Sequence, residues 1–263
     1  MSNNVKSLSV GFNPINESNI FTSGDVITGQ ITLELSKECK IDSLYVKLKG
    51  KAKVKWTESY GRTVVTYHSK DKYFSLKRSP AHIPVRTPRI FLELPSSFHG
   101  KYGKILYTLE ANLSRSMKID SKAKAEFTLI HKGIPDPMLM IQQQGNIDKK
   151  MKLFNSGTVG MDVNIEKTGF HQGNYCLYRK YSYFAKGRRK VDTKDIVKEE
   201  GEAVPPSAGQ TITRIITIPP TTPASELNCK IIKVEYRLRV YLDVKYASDP
   251  EIKFPIVILL TPL

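Results

Sequence analysis

The stretch YVKLKGKAKVKW, from Tyr45 to Trp56, alternates strictly between two kinds of residue. Every odd position after Tyr45 is a lysine, namely Lys47, Lys49, Lys51, Lys53 and Lys55. Every even position is apolar or small, with Trp56, the one tryptophan of the chain, at the end. A period of two residues is that of a β-strand, whose side chains point alternately to opposite faces. The stretch therefore predicts a strand with a buried face that includes Trp56 and a solvated lysine face.

Other parts of the chain have the same period. Clear apolar alternation covers residues 31–35, 105–113 and 234–244, and shorter strand candidates are residues 64–67, 124–130, 211–218 and 254–260. The single weak helix candidate is 191–200, which is equally compatible with a charged loop. The prolines and glycines fall mostly between the strand candidates, as turns require. This pattern predicts an all-β protein built from antiparallel β-sandwiches.

The two halves of the chain resemble each other. The segment 131–146 has two prolines and two glycines, so we predict a sandwich at 1–132, a connector at 133–150 and a second sandwich at 151–263. The segment FTSG, ending at Gly24, resembles FHQG, ending at Gly173. Tyr45 follows Gly24 by 21 residues, whereas Tyr175 follows Gly173 by only 2. The second sandwich is therefore expected to lack about two strands and their turn.

The charge of the chain favours anionic partners. It has 41 Lys and Arg against 25 Asp and Glu, a net charge of +16, which suits nucleic acid, an anionic membrane face or acidic peptides. The five lysines of residues 47–55 form a ribbon about 27 Å long and are the candidate anionic-surface binding site. The alternative is a solvated sheet face whose lysines discourage edge-to-edge pairing. The basic cluster 186–190 is interpreted as a local hairpin turn beside acidic residues rather than as a nucleic-acid patch.

The sequence predicts neither catalysis nor a bound cofactor. The five histidines have no partner at metal-ligand spacing, and neither a Gly-x-Ser-x-Gly elbow nor a phosphate-binding glycine loop occurs. The three cysteines fit neither a disulfide framework nor a zinc site, and Cys39 and Cys176 are expected to be reduced thiols. The longest apolar stretch, 256–260, is too short for a membrane helix, and the polar N-terminus lacks a signal-peptide core. We therefore expect a cytoplasmic protein that is not an enzyme and binds no metal.

Several segments, taken in order, resemble one family. They are SGDVITGQI (23–31), LPSS (94–97), GKILYTLEA (103–111), LSRS (113–116), GRRK (187–190), EG (200–201), IPP (218–220) and VEYRLRVYL (234–242). This set covers nearly the whole chain and resembles the arrestin fold, in particular the arrestin-domain-containing proteins, or α-arrestins. The resemblance implies two tandem immunoglobulin-like sandwiches, the second shortened, in an adaptor for membrane receptors or transporters. It further implies recruitment to the plasma membrane and endosomes, where such adaptors direct cargo ubiquitination, endocytosis and sorting.

The chain departs from the α-arrestin pattern in its proline motifs. Family members recruit HECT-type ubiquitin ligases through Pro-Pro-x-Tyr motifs in a C-terminal tail. The pairs Pro205-Pro206 and Pro219-Pro220 have no tyrosine at the fourth position, and the last predicted strand lies close to Leu263. Ligase recruitment by that route is therefore not expected from these residues. Two alternatives stay open: a basic nucleic-acid-binding β protein, and an α-arrestin fragment whose shortened second sandwich leaves it without function.

Overall fold

The computed structural model describes residues 4–22, 24–79, 85–86, 94–131, 143–150, 158–165, 170–171, 174–201, 213–242 and 249–258. All regular secondary structure in these ranges is strand. The strands are β1 (Val5–Phe12), β2 (Ile20–Thr22), β3 (Val26–Ile27), β4 (Gly29–Leu35), β5 (Ser43–Tyr60), β6 (Thr63–Arg78), β7 (Val85–Arg86), β8 (Phe98–His99), β9 (Gly103–Arg115), β10 (Lys118–Ile130), β11 (Gln143–Lys150), β12 (Thr158–Ile165), β13 (Phe170–His171), β14 (Asn174–Ala185), β15 (Arg188–Glu199), β16 (Thr213–Arg214), β17 (Ile232–Tyr241) and β18 (Glu251–Ile256). The described ranges contain no helix that is long and apolar enough to cross a bilayer.

The strands divide between two compact units. Unit 1 comprises Met1–Lys132, Ser182–Lys190 and Glu226–Lys233, and unit 2 the remaining residues. Strands β14, β15 and β17 each contribute residues to both units. Strand β11 lies in the range 133–150 that the sequence assigned to the connector, where it pairs with β12. The domain boundaries drawn on the sequence stay predictions.

Unit 1 is built on a six-stranded sheet in the order β2-β10-β9-β5-β6, with β8 added to β9. The long strands pair antiparallel, and β2 pairs parallel with β10. Strand β5 lies inside this sheet, with β9 on one side and β6 on the other. Separate pairs β1–β4 and β3–β7 complete the unit.

The core of unit 1 is apolar and aromatic. The even-numbered side of β5 is buried as the sequence predicted, and Trp56 stacks on Tyr67 with ring centroids 5.2 Å apart. Phe12 of β1 meets Phe21 of β2 and Phe127 of β10 edge-to-face, at 5.5 and 6.1 Å. Burying one such side chain stabilises the fold by roughly 1.5–3 kcal/mol. These rings join the β1–β4 pair to the six-stranded sheet, so the unit is a sandwich.

Unit 2 contains most of a four-stranded sheet in the order β15-β14-β17-β18. The even-numbered residues of β17 are all buried, as the alternation from Val234 predicted. Strand β11 packs against β18, where a methyl group on Gly145 would come within 2.7 Å of Ile252. The pairs β11–β12 and β13–β16 are the other described pairings in this unit.

The structure confirms the all-β class and corrects two segments. Residues 191–200, the weak helix candidate, belong almost entirely to strand β15, so the helix interpretation was wrong. Of the strand candidate 211–218, only Thr213–Arg214 is a strand, residues 215–218 are not, and 211–212 lie outside the described residues. Strand β13 ends only three residues before β14 begins, whereas β3 and β4 lie between β2 and β5. The second half therefore has no counterpart of β3 and β4 at this point of the chain.

Candidate functional site

Strand pairing extends the lysines of β5 across a whole sheet face. Directly paired residues of antiparallel strands point to the same side. Lys53 of β5 is paired with Lys70 of β6 and with Lys104 of β9, and Lys51 is paired with Lys72. Continuing the register across β10 gives one surface, which we call the lysine face: Lys47, Lys49, Lys51, Lys53, Lys55, Lys70, Lys72, Lys77, Lys104, Lys122 and Lys124.

The lysine face has few counter-charges. Lys49 forms an ion pair with Glu110, and Lys124 forms one with Glu126. Lys77 lies over the ring of Tyr45, 3.7 Å from its centroid. In the described part of the chain, the nine remaining lysines of the face have no carboxylate within 4.0 Å. The face is therefore a concentration of positive charge that its own acidic residues do not neutralise.

The pKa of Lys51 is lowered, and burial and the neighbouring positive charges contribute to this change. Burial of its stem lowers the pKa most, and the positive charge of Lys53 lowers it further. Lys49 and Lys124 act in the same direction, and Glu110 opposes them. Like charges on a sheet face destabilise the folded state, and an anion bound over Lys51 and Lys53 would relieve that repulsion.

The position of β5 removes one alternative explanation of its lysines. Lysines on an edge strand discourage pairing with another chain. Strand β5, however, is paired on both sides, with β9 and with β6. Its five lysines therefore do not protect a sheet edge. One edge of this sheet is β6, where Lys70 and Lys72 can have that role.

The basic cluster 186–190 forms a local turn, as the sequence predicted. Lys186 and Gly187 have φ of 49° and 70° and connect β14 to β15, the geometry of a tight hairpin. Arg189 donates hydrogen bonds to the Ser182 hydroxyl at 2.8 and 3.2 Å. Lys190 pairs with Glu58 at 3.1 Å. Lys186 donates a hydrogen bond to the Thr66 carbonyl at 3.1 Å, so three of the five residues are held by partners within unit 1.

The carboxylate of Glu226 is buried, and the sequence did not predict it as a site residue. Its Oε2 accepts a hydrogen bond from the backbone N–H of Ser96 at 2.6 Å, and its Oε1 accepts one from the N–H of Asn228 at 2.9 Å. The same LPSS segment is held by Tyr107, whose hydroxyl donates to the Pro95 carbonyl at 2.6 Å. Glu226 and Ser96 are 130 residues apart, so no local pattern could have linked them.

The thiols and histidines form no evident metal site. No group of three or more His, Cys, Asp or Glu residues suited to a metal ion occurs in the described ranges. All three cysteines are free, with Cys176 and Cys229 buried and Cys39 half-buried. Tyr73 donates its hydroxyl proton to Sγ of Cys229 at 3.1 Å, and burial raises the pKa of that thiol.

Comparison with known proteins decides the family. Residues 8–83 and 87–134 match the family description "Arrestin (or S-antigen), N-terminal domain", and residues 158–263 match "Arrestin (or S-antigen), C-terminal domain". The chain belongs to the arrestin family. Arrestin-family proteins are non-enzymatic adaptors, and membership supports an arrestin-like adaptor role for this chain.

The similar curated proteins are α-arrestins. Arrestin domain-containing protein 4 of Mus musculus is 27% identical over 301 residues, which cover 97% of this chain and 72% of that protein. The Homo sapiens protein of the same name is 26% identical, covering 97% and 71%. Thioredoxin-interacting protein of Rattus norvegicus is 24% identical over 297 residues, covering 97% and 74%.

The alignment bears on the shortened second half of this arrestin-family chain. The aligned stretch of 301 residues is longer than the 263 residues of the chain. The mouse relative therefore has internal residues that this chain lacks. The short connection between β13 and β14 is a place where the second half of this chain is shorter than its first half.

Proposed function

We propose that this arrestin-family chain is an adaptor that docks on the anionic face of a membrane through the lysine face and there binds membrane receptors or transporters. One observation carries the proposal: eleven lysines share one side of the central sheet of unit 1 with only two ion-paired glutamates. The excess charge is concentrated on that surface, which is what attraction to a lipid headgroup layer requires.

The magnitude of the attraction supports docking. A basic residue close to an anionic bilayer contributes about 1 kcal/mol. Three lysines within reach of the headgroups would thus contribute about 3 kcal/mol, roughly a hundredfold in affinity. The interaction is expected to weaken with salt, because the screening length is about 8 Å at physiological ionic strength.

A charge-reversal experiment tests the proposal. The triple variant Lys51→Glu, Lys53→Glu, Lys55→Glu removes charge from the middle of the lysine face. We expect it to lose most of its co-sedimentation with phosphatidylcholine vesicles that contain phosphatidylserine. The matched control Arg62→Glu, Lys194→Glu, Lys230→Glu changes net charge equally at exposed positions off the face and should retain binding.

The outcome also separates the membrane from other anions. Equal co-sedimentation of the lysine-face variant, the control and the wild type would overturn the proposal. If the lysine-face variant binds vesicles like the wild type but no longer binds an acidic peptide that the wild type binds, the lysine face is assigned to acidic cargo tails instead. Retention of the wild-type chain on RNA, with a steep loss of affinity with salt, would favour the nucleic-acid alternative.

The proposed binding of membrane receptors or transporters can be tested in cells. Proximity labelling with the full chain should enrich receptors, transporters or other proteins of the plasma membrane and endosomes. A labelled set without membrane proteins would contradict it. Neither Pro-Pro pair is followed by the tyrosine that the Pro-Pro-x-Tyr motif requires, so these residues give no support for recruitment of a HECT-type ligase.

The name of one relative suggests a redox partner for which the buried thiols of this chain give no support. Thioredoxin-interacting protein is named for thioredoxin. Disulfide exchange requires an accessible thiolate, whereas Cys176 and Cys229 are buried and burial raises the pKa of both thiols. These two thiols therefore give no support for such a partner.

A further inference from the structure

The turn between β9 and β10 presents two apolar side chains to solvent. Met117 is 100% exposed and Ile119 is 92% exposed, the two highest values among the large apolar residues that the structure describes. Single exposed apolar residues are common on protein surfaces. Two of them at the tip of one hairpin, with almost no contact to the rest of the chain, contribute nothing to the folded core.

The backbone at this turn adds a second, independent observation. Met117 has φ of 56°, a left-handed conformation that is unfavourable for residues other than glycine. Of the two other long hairpins, the β5–β6 turn has Gly61 at its left-handed position, and the β14–β15 turn has Lys186 followed by Gly187. At the β9–β10 turn a large apolar residue stands where glycine would strain the backbone less. An outlier of this kind points to a function for the side chain.

The charges around the turn complement an anionic surface. The hairpin carries Lys122 and Lys124 of the lysine face, and the exposed Lys118 lies between the two apolar residues in the sequence. Asp120 is the acidic residue at the tip itself. Exposed apolar side chains next to lysines are the composition of segments that lie in the headgroup region of a bilayer.

We propose that the β9–β10 turn inserts Met117 and Ile119 into the boundary between the headgroups and acyl chains of an anionic bilayer. The proposal rests on the proposed docking function, in which the lysine face supplies the long-range attraction. Insertion adds a short-range hydrophobic contribution to the membrane affinity, and salt does not screen this contribution. Transfer of each side chain out of water should raise vesicle affinity about ten- to a hundredfold.

A bilayer fits this turn better than a second copy of the chain. A stable protein interface buries about 800 Å² on each partner. Two side chains at a hairpin tip, flanked by exposed lysines and Asp120, offer far less apolar area than that. A bilayer needs no matching surface on a partner, because each inserted side chain gains its hydrophobic free energy by itself.

Two sets of variants test the insertion. The double variant Met117→Ser, Ile119→Ser should lose at least tenfold in affinity for phosphatidylserine vesicles at high salt, while the matched control Ile215→Ser, at an exposed position in unit 2, should match wild type. The variant Met117→Trp should lose its tryptophan fluorescence on vesicles that contain brominated lipid. The control Ile215→Trp should not, and Trp56 is buried in both proteins.

The outcomes separate insertion from electrostatic docking. If the lysine-face variant loses vesicle binding while Met117→Ser, Ile119→Ser binds like wild type and Met117→Trp is unquenched, docking stands and insertion is overturned. If the turn variant alone loses binding, membrane docking stands with insertion as its source, and the role given to the lysine face is overturned. A wild-type chain that binds no vesicles overturns both. Loss of self-association in the turn variant, measured by sedimentation equilibrium, would assign the turn to a second copy and also overturn insertion.

Discussion

Glu226 connects two distant segments of unit 1 through a single buried side chain. Each of its carboxylate oxygens accepts one backbone hydrogen bond, from Ser96 and from Asn228. Hydrogen bonds to a charged group contribute about 1.5–3 kcal/mol, more than neutral ones. Around the same segment, Ser97 exchanges hydrogen bonds with Leu129, its N–H donating to the Leu129 carbonyl at 2.7 Å. The carboxylate thus ties the LPSS segment to residues 226–228, and Ser97 ties the same segment to the end of β10.

Replacing Glu226 by glutamine should destabilise the chain. The amide keeps one oxygen as an acceptor, but its NH₂ group then faces a backbone N–H that has lost its partner. We expect a loss of about 1–3 kcal/mol in the free energy of unfolding, measured by urea denaturation. The control Glu251→Gln, at a partly exposed ion pair with Lys253, should change it by less than about 1 kcal/mol. Equal stability of Glu226→Gln and wild type would contradict this account of the site.

The Cys176 thiol makes stability depend on pH in the alkaline range. Burial, with Asp195 as a second cause, raises the pKa of this thiol from 9.0 to about 11. Above pH 9 the unfolded chain therefore releases a proton that the folded chain retains until about pH 11. Because the unfolded state then binds fewer protons, stability falls as pH rises through this window.

The variant Cys176→Ala isolates that effect. Below pH 9 it should be less stable than wild type, since it lacks the buried sulfur. Between pH 9 and 11 the difference should shrink, because only wild type has the thiol to titrate. Thermal midpoints of both proteins across this range are the measurement. Parallel pH profiles would show that the thiol titrates alike in folded and unfolded chains.

At the scale of elements, the β5–β9 pairing depends on a glycine where the alternation would allow any apolar residue. Gly50 lies on the buried side of β5, paired with Tyr107 of β9 and Phe74 of β6. A methyl group there would lie 2.5 Å from Cε1 of Phe74 and 2.7 Å from Cε1 of Tyr107. Both rings fill the space that the missing side chain leaves.

The substitution Gly50→Ala should therefore destabilise unit 1. Overpacking of a filled core costs about 1–3 kcal/mol. We expect the free energy of unfolding, measured by urea denaturation, to fall by that amount. The matched control is Gly11→Ala in β1, where an added methyl group meets nothing within 4 Å. That control should be neutral or slightly stabilising, because alanine reduces the freedom of the unfolded chain. Equal effects of the two substitutions would mean that the aromatic packing has room to adjust.

Apolar alternation in the sequence predicted some of the strands and not others. Strands β5 and β17 were predictable because each has one buried face, which forces apolar residues to every second position. Strand β15 was not, because it lies at the edge of its sheet with mostly exposed side chains. In β6 the register shifts at the bulge opposite Gly50 and Lys51, so Lys70 and Lys72 join the lysine face out of phase with Lys77. Five of the eleven lysines were therefore identifiable, and the others required strand pairing.

At the scale of the whole molecule, unit 1 joins residues 1–132 to two short segments that lie farther along the chain. Unit 1 takes Ser182–Lys190 and Glu226–Lys233 from the second half. Those segments supply buried residues: Tyr183, Cys229 and Ile232 are all at 0% exposure. The resemblance between the halves lies in short sequence segments, whereas the packing of hairpin ends depends on side chains far apart in the chain.

A protein cut at the sequence boundary should consequently fail to form a complete unit 1. Residues 1–132 alone would lack the ring of Tyr183, which meets Tyr102 edge-to-face at 5.6 Å, and the thiol that accepts the hydrogen bond of Tyr73. They would also lack Ile232, which lies against Gly103 of β9. The apolar surface so exposed should bind 8-anilinonaphthalene-1-sulfonate, and the urea midpoint should fall well below that of unit 1 in the full chain.

The full chain carrying Tyr183→Ala serves as the comparison for this truncation. It removes one buried ring, at a cost of about 3–5 kcal/mol, while it keeps Cys229 and Ile232 in place. If the missing segments act through packing, the truncated protein should be the less stable of the two and the only one with strong dye binding. Cooperative unfolding of residues 1–132 at the full-chain midpoint, without dye binding, would show instead that the first half folds by itself. The contacts of Tyr183 and Ile232 would then add to unit 1 without being needed for it.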